Sequence, residues 1–222
     1  MNRKLIATLL FTLPTFCWSI GTGFYAGIGA GADTARYNQH AHVTRPGTFN
    51  VVENDDFGAQ GVFGSLFGGY AYTRKMFYFA GELNGNVSSA AYHTSNKDYD
   101  HGTFSRTIYK ISQGWGLSAL PGILLPGDAL LYGVLGYASG YFVLSSSDSS
   151  LQKSSQMLNG FRYGLGLEKN VYKNLSLRAE YSHINYQDQY KKVVIPIADF
   201  TKKTTITPDT NQFEFALLYR FA

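Results

Sequence analysis

Eight stretches of this chain alternate apolar and polar residues with a period of two: 23–37, 58–72, 76–92, 105–120, 129–144, 156–169, 175–187 and 211–221. That period puts successive side chains on opposite faces of a strand. Strands of soluble proteins run about 5–6 residues, whereas a tilted strand that crosses a bilayer needs about 9–11. All eight stretches meet the longer requirement. Three connections are short: Thr73-Arg74-Lys75, residues 121–128 and residues 170–174. Four are long and polar: 38–57, 93–104, 145–155 and 188–210. Long and short alternate strictly along the chain. A membrane barrel with tight turns at one end and loops at the other requires that parity, and a soluble sandwich does not. The pattern predicts an all-β fold, an eight-stranded antiparallel transmembrane β-barrel. With the first strand running outward, all four long loops lie outside the cell.

The first residues are a separate object. Asn2-Arg3-Lys4 is basic, residues 5–13 are apolar, and Pro14 breaks the run before Cys17, Trp18 and Ser19. This is the form of a secretory signal peptide covering 1–19, which leaves 20–222 as the barrel. The run is short for a membrane anchor, the competing reading. Cys17 follows the bulky Phe16, which argues against a lipoprotein cysteine. Loss of 1–19 removes Arg3 and Lys4, so 17 basic residues face 15 acidic ones and the net charge falls from +4 to +2. A pI near 9 then gives no support for a nucleic-acid partner. The mature chain has no cysteine, which excludes disulfides and cysteine-ligated zinc. The full chain's 24 glycines would suit a disordered chain, but its 17 Tyr and 16 Phe would not.

The last strand shows its faces most clearly. Phe213, Phe215, Leu217, Tyr219 and Phe221 share one face, and Glu214, Ala216, Leu218 and Arg220 the other. The sixth, seventh, third and first stretches divide in the same way, while the second and fifth are ambiguous in phase. Aromatic residues at both ends of an apolar row match the girdles of outer-membrane barrels. Residues 119–144 are apolar enough to suggest a helical hairpin, but Pro121, Pro126, Gly127, Gly133, Gly136 and Gly140 oppose it.

Charge in hydrocarbon is costly, so the charged positions of the strands are expected to face the lumen. They are Lys110, Arg162, Arg178 and Arg220 against Glu82, Glu168, Glu180 and Glu214, a balanced set. An eight-stranded barrel has an interior just wide enough for side chains to fill. The expectation is a lumen plugged by a structural ionic network. Inward glycines would leave room for Arg and Tyr from the opposite wall.

The stretches 23–31 (GFYAGIGAG), 132–138 (YGVLGYA), 160–168 (GFRYGLGLE), 174–181 (NLSLRAEY) and 218–221 (LYRF) resemble, in that order, small outer-membrane β-barrel proteins of Gram-negative bacteria. That family includes surface antigens and the membrane domain of outer-membrane protein A-like proteins. The resemblance implies an outer-membrane location, and outer-membrane lipids and lipopolysaccharide as surroundings. It also implies recognition of the terminal row Phe213, Phe215, Leu217, Tyr219 and Phe221 by the barrel-assembly machinery. Family members usually end on Phe, and here Ala222 follows Phe221. No peptidoglycan-binding domain is expected after the barrel.

Chemistry is sparse. Lipid A deacylases, which this chain resembles in size, use a His-x-Ser motif. The nearest match, Ser182-His183-Ile184-Asn185, has Asn two residues after the His. His40-x-His42, with His93 and His101 in another loop, suggests a loop-built metal or haem site, weighed against solvated histidines. Lys191-Lys192 and Lys202-Lys203 suit lipopolysaccharide phosphates or host polyanions, or simply a solvated loop. Gly27, Gly29 and Gly31 open no helix and make no phosphate loop. The expectation is a barrel without enzymatic activity, cofactor or metal, serving a structural, surface-antigen or adhesin-like role with a host or surface ligand at its loops. The alternatives are a small porin-like channel and a lipid A-modifying enzyme.

Overall fold

The computed structural model describes residues 20–45, 47–97, 104–146, 154–187, 189–195 and 200–221. Residues 1–19, read above as a signal peptide, and His101 lie outside them. The strands are β1 (Gly23–Arg45), β2 (Phe49–Arg74), β3 (Phe77–Ser88), β4 (Ala91–Lys97), β5 (Phe104–Leu125), β6 (Ala129–Ser146), β7 (Ser154–Tyr172), β8 (Leu175–Tyr186), β9 (Gln189–Ile195) and β10 (Phe200–Arg220). Eight of them form an antiparallel ring in the order β1-β2-β3-β5-β6-β7-β8-β10, closed by β10 on β1 from Tyr25↔Arg220 to Thr44↔Thr201. Within the closed part of the ring each strand is paired on both sides, which hydrocarbon demands of the backbone.

The three short connections are tighter than residue type suggested. Each turn holds a residue in the left-handed region: Lys75 (φ 56), Gly127 and Asp128 (φ 81 and 57), and Lys173 (φ 44). Tight hairpins ask for that conformation. Pro121 lies within β5, opposite Phe79, so the turn is only Pro126-Gly127-Asp128. The apolar stretch 119–144 is strand and turn, not a helical hairpin.

The four long connections need correction. Most of 38–57 and of 188–210 is strand, and strand reaches into 93–104 and 145–155. β1 and β2 zip in unbroken register up to Arg45↔Phe49, so residues 38–57 form the far end of a hairpin. β9 and β10 likewise occupy most of 188–210. Asn and Asp have weak strand preference, which is why these residues read as loop. Cross-strand polar pairs offset it: His40 Nδ1 lies 2.7 Å from Asn54 Oδ1, and His42 pairs with Asn50.

The third stretch is interrupted, and the seventh is followed by a further strand. β3 ends at Ser88 and β4 continues the wall on β5; β8 ends at Tyr186 and β9 continues on β10. The last bonds across these joints are Ser89 N–H to Val62 O (3.0 Å) and Gln187 N–H to Asn159 O (2.8 Å). Beyond them no ladder joins β2 to β4 or β7 to β9 among the described residues. The ring therefore opens at its long-strand end into two four-stranded leaves, β9-β10-β1-β2 and β4-β5-β6-β7.

Outward rows are apolar and exposed, as in Phe24, Ile28, Leu66, Leu83, Leu165 and Phe215. The row on β1 turns polar after Ala32, at Thr34 and Arg36, and on β2 beyond Val62, at Gln60 and Asp56. The apolar belt thus ends where the two leaves begin. β2 and β6 are ambiguous in sequence because their inward residues are apolar too: Phe63, Phe67 and Ala71, and Leu130, Tyr132, Val134 and Phe142.

Candidate functional site: a filled lumen

Arg178 on β8 stands at the centre of the lower lumen. Its Nη1 donates to Glu82 Oε2 at 2.6 Å and its Nη2 to Glu168 Oε2 at 3.4 Å. Arg220 Nη2 donates to the other oxygen of Glu168 at 2.7 Å. The Arg178 guanidinium also lies 4.7 Å from the Phe67 ring and 5.2 Å from the Tyr132 ring. Tyr25 O–H donates to Glu82 at 2.9 Å, and Tyr132 O–H to Glu180 at 2.8 Å. Glu180 in turn accepts from Arg162 at 2.7 Å. Six of the expected residues from four strands thus form two ion-paired groups joined through Tyr132. All are buried; Glu168 has no exposed surface. Buried charges survive only when paired and hydrogen-bonded in this way.

Glycines make the room. A Cβ at Gly69 would stand 2.7 Å from the Tyr25 hydroxyl, and one at Gly27 2.7 Å from the Phe67 ring. At Gly166 it would overlap the Tyr132 ring. Gly166→Val is therefore expected to cost about 1–3 kcal/mol through overpacking, read as a lower urea midpoint in detergent micelles. Gly81→Ala, which meets nothing within 4 Å, is the matched control and is expected to change little.

Two of the expected residues stand elsewhere. Lys110 does not face the lumen. A bulge between Ile111 and Gly114 inverts the alternation of β5, so that Tyr109 and Ile111 turn inward and Lys110, opposite Val143, turns outward. Glu214 does face inward, directly across the ladder from Glu180, but makes no ion pair among the described residues. It leans over Gly29 beside Ser65. Asp33, not among the expected set, is buried and accepts from Ser88 O–H at 2.6 Å. Its phase is that of Gly27, Gly29 and Gly31, so the signal was present in β1. Among the described residues the lumen charges are thus not balanced: three arginines face four glutamates and Asp33.

Apolar clusters close both ends of the charged layer. At the short-turn end Ile20, Leu120, Leu124, Leu130 and Leu218 pack with Tyr78. At the other end Tyr37, Phe142, Leu144, Leu158, Ile184 and Tyr186 pack together. Phe57 stacks on Tyr37 at 5.4 Å and meets Tyr92 at 4.7 Å. One hollow lies against the outward residues Ala26, Ile28, Leu66, Leu83 and Leu217.

The histidines gather no metal-ligand cluster among the described residues. His40 and His42 pair with asparagines across the hairpin. His183 sits between Asn211 and Asn185, 2.8 Å from each, on the outer wall. Ser182 is buried on the opposite, lumen face of β8, out of reach of that imidazole as a nucleophile.

The family model of the outer membrane protein β-barrel domain matches residues 5–221. No curated protein matches the chain. Among solved structures, the outer membrane protein OprG of Pseudomonas aeruginosa is 12% identical over 91% of this chain and 99% of its own, with a TM-score of 0.56. The outer membrane protease OmpT of Escherichia coli is 9% identical over 90% and 97%, with a TM-score of 0.50. Ail of Yersinia pestis, in complex with the heparin analogue sucrose octasulfate, is 17% identical over 86% and 99%, with a TM-score of 0.39. At such identities the likeness is one of fold.

Proposed function

The chain belongs to the outer membrane protein β-barrel family, and from that premise we propose that it is a surface scaffold, antigen- or adhesin-like, without enzymatic activity. One observation carries this reading. Buried ion pairs lie between two apolar clusters in the lumen, while the hairpins continue well past the apolar belt. The long-strand end faces outside the cell and the short turns face the periplasm, the usual arrangement of such barrels. The outward rows meet outer-membrane lipids and lipopolysaccharide. The row Phe213, Phe215, Leu217, Tyr219 and Phe221 serves as the assembly signal read by the barrel-assembly machinery. A leader at 1–19 delivers the chain to the periplasm.

The scaffold reading is tested on cells that display the protein. Their binding to host cells or matrix is expected to exceed that of cells without it, and trimming the hairpins beyond the belt is expected to abolish the difference. Equal binding would overturn the reading. In planar bilayers the folded protein is expected to show no stable conductance of the large-pore kind; such a conductance would establish the porin-like alternative. Lyso-lipid A on overexpression would establish the enzymatic one.

A further inference from the structure

We propose that the short-turn rim of the barrel binds the headgroups of anionic phospholipids through Arg74, Lys75, Lys169 and Lys173. With these turns in the periplasm, the lipid is that of the inner leaflet. The inference goes beyond the surface role, which concerns the opposite end of the barrel.

Charge on two of the three turns has one sign. Residues 73–76 and 169–174 contain these four cations and no acid. All four are exposed. The remaining turn adds Asp128. None of the four cations makes an ion pair among the described residues. Lys169 donates to the Gly127 carbonyl, and the Lys173 ammonium lies 5.2 Å from the Tyr172 ring centre. The long-strand end, by contrast, mixes Arg36 and Lys110 with Asp55 and Asp56. The backbone marks the lysines further. Lys75 and Lys173 hold φ of 56 and 44. Residues other than Gly, Asn and Asp are rare in that region, and hairpin turns favour those three. The middle turn follows the rule with Gly127 and Asp128. The other two set lysine there instead, against backbone preference, and an outlier of this kind points to function. Neither lysine is buried or ion-paired, so what each supplies is a solvent-facing positive charge.

Position selects a lipid. Arg74 continues the outward row of β2 from Tyr70 and Tyr72, and Lys169 that of β7 from Leu165 and Leu167. Their cross-strand partners, Phe77 and Leu177, are exposed on the same wall. These two cations therefore end rows that meet hydrocarbon, at the depth of the lipid phosphates. Long basic side chains placed there lay their stems on the apolar wall and keep their charge among the headgroups. Lys75 and Lys173 stand beside them at the turn tips. The β2–β3 and β7–β8 hairpins lie on opposite arcs of the ring, with β10 and β1 between them on one side and β5 and β6 on the other. Each arc thus offers a pair of cations to the bilayer. A headgroup with net negative charge answers the pair, whereas the ammonium of a zwitterionic one is repelled by it. A cell-wall polymer would meet the turn tips but not Arg74 and Lys169, which lie along the lipid-facing wall.

The experiment places the full chain in phosphatidylcholine nanodiscs with a trace of spin-labelled lipid, phosphatidylglycerol in one set and phosphatidylcholine in the other. The motionally restricted signal is expected to favour phosphatidylglycerol about fivefold, the scale set by one basic residue near an anionic surface. The preference should shrink in about 1 M salt, where screening reaches within a few ångströms. It should be largely lost in Arg74→Gln/Lys75→Gln/Lys169→Gln/Lys173→Gln and kept in Arg36→Gln/Lys110→Gln, which removes outward cations of the other rim. Equal restriction of the two lipids by the parent would overturn the proposal. A preference that follows Arg36 and Lys110 instead would overturn its assignment to this rim. Lys75→Gly/Lys173→Gly is expected to weaken the preference without lowering the urea midpoint; an undiminished preference would overturn the role of the turn-tip lysines. Co-sedimentation with purified peptidoglycan sacculi, lost in the quadruple variant and unaccompanied by a lipid preference, would make the cell wall the partner and overturn the lipid assignment. An unchanged heat-modifiable band shows that each variant folds. Nanodiscs offer both rims the same lipid, so the result is independent of orientation, and its failure leaves the surface scaffold standing.

Discussion

Glu168→Leu is expected to lower stability by about 3–5 kcal/mol, the largest loss from any single substitution in the lumen. Glu168 has no exposed surface and, among the described residues, is the only carboxylate that accepts from two arginines, Arg178 and Arg220. Without it Arg220 loses its only ion pair among the described residues, and Arg178 keeps Glu82 alone. Both arginines are buried. The loss is read as a lower urea midpoint for the compact, unboiled band on a gel. Replacing Glu82, Glu168, Arg178 and Arg220 together with leucine is expected to recover much of it, because the desolvation cost of both signs disappears at once. A Glu168→Leu variant within about 1 kcal/mol of the parent would show that the pairs contribute little.

Leu165→Arg is expected to cost about 2–4 kcal/mol, the penalty for a cation at mid-depth on a lipid-facing wall. Leu165 lies on the outward row of β7 between Tyr163 and Leu167, and is two-thirds exposed. In water such a change would be nearly neutral. Gln60→Arg, on an outward position just past the belt, is the comparison and should change stability little. Equal small effects at both positions, measured after refolding into bilayers, would mean that the wall does not meet hydrocarbon.

The alternation was most legible where one face carries charge. β3 and β8 read cleanly because Glu82, Arg178 and Glu180 mark the inside while Leu83, Leu177 and Tyr181 mark the outside. β2 and β6 gave no phase because they run through the clusters that seal the lumen, where both faces are apolar. Lys110 was misplaced because alternation was carried across a bulge that no Gly or Pro at residues 111–113 announces. Which acid meets which arginine depends on strand register around the ring, and no local pattern holds that. The hairpin ends were recognised as polar but not as strands, since their order comes from long cross-strand zippering rather than residue preference. The gap between β2 and β4 was illegible for the same reason.

The two leaves at the outer end differ in how the chain builds them. One is made from a single run of sequence, from β4 to the start of β7, whereas the other joins the two ends of the chain, β1 and β2 with β9 and β10. A single crossover segment spanning residues 91–159 would exchange the first leaf whole and leave the second untouched. The second can change only by paired alterations near both termini, which must still match across the β1–β10 seam that closes the ring. The exposed surface is therefore free to diversify by halves: one as a transplantable block, the other slowly and in step with barrel closure.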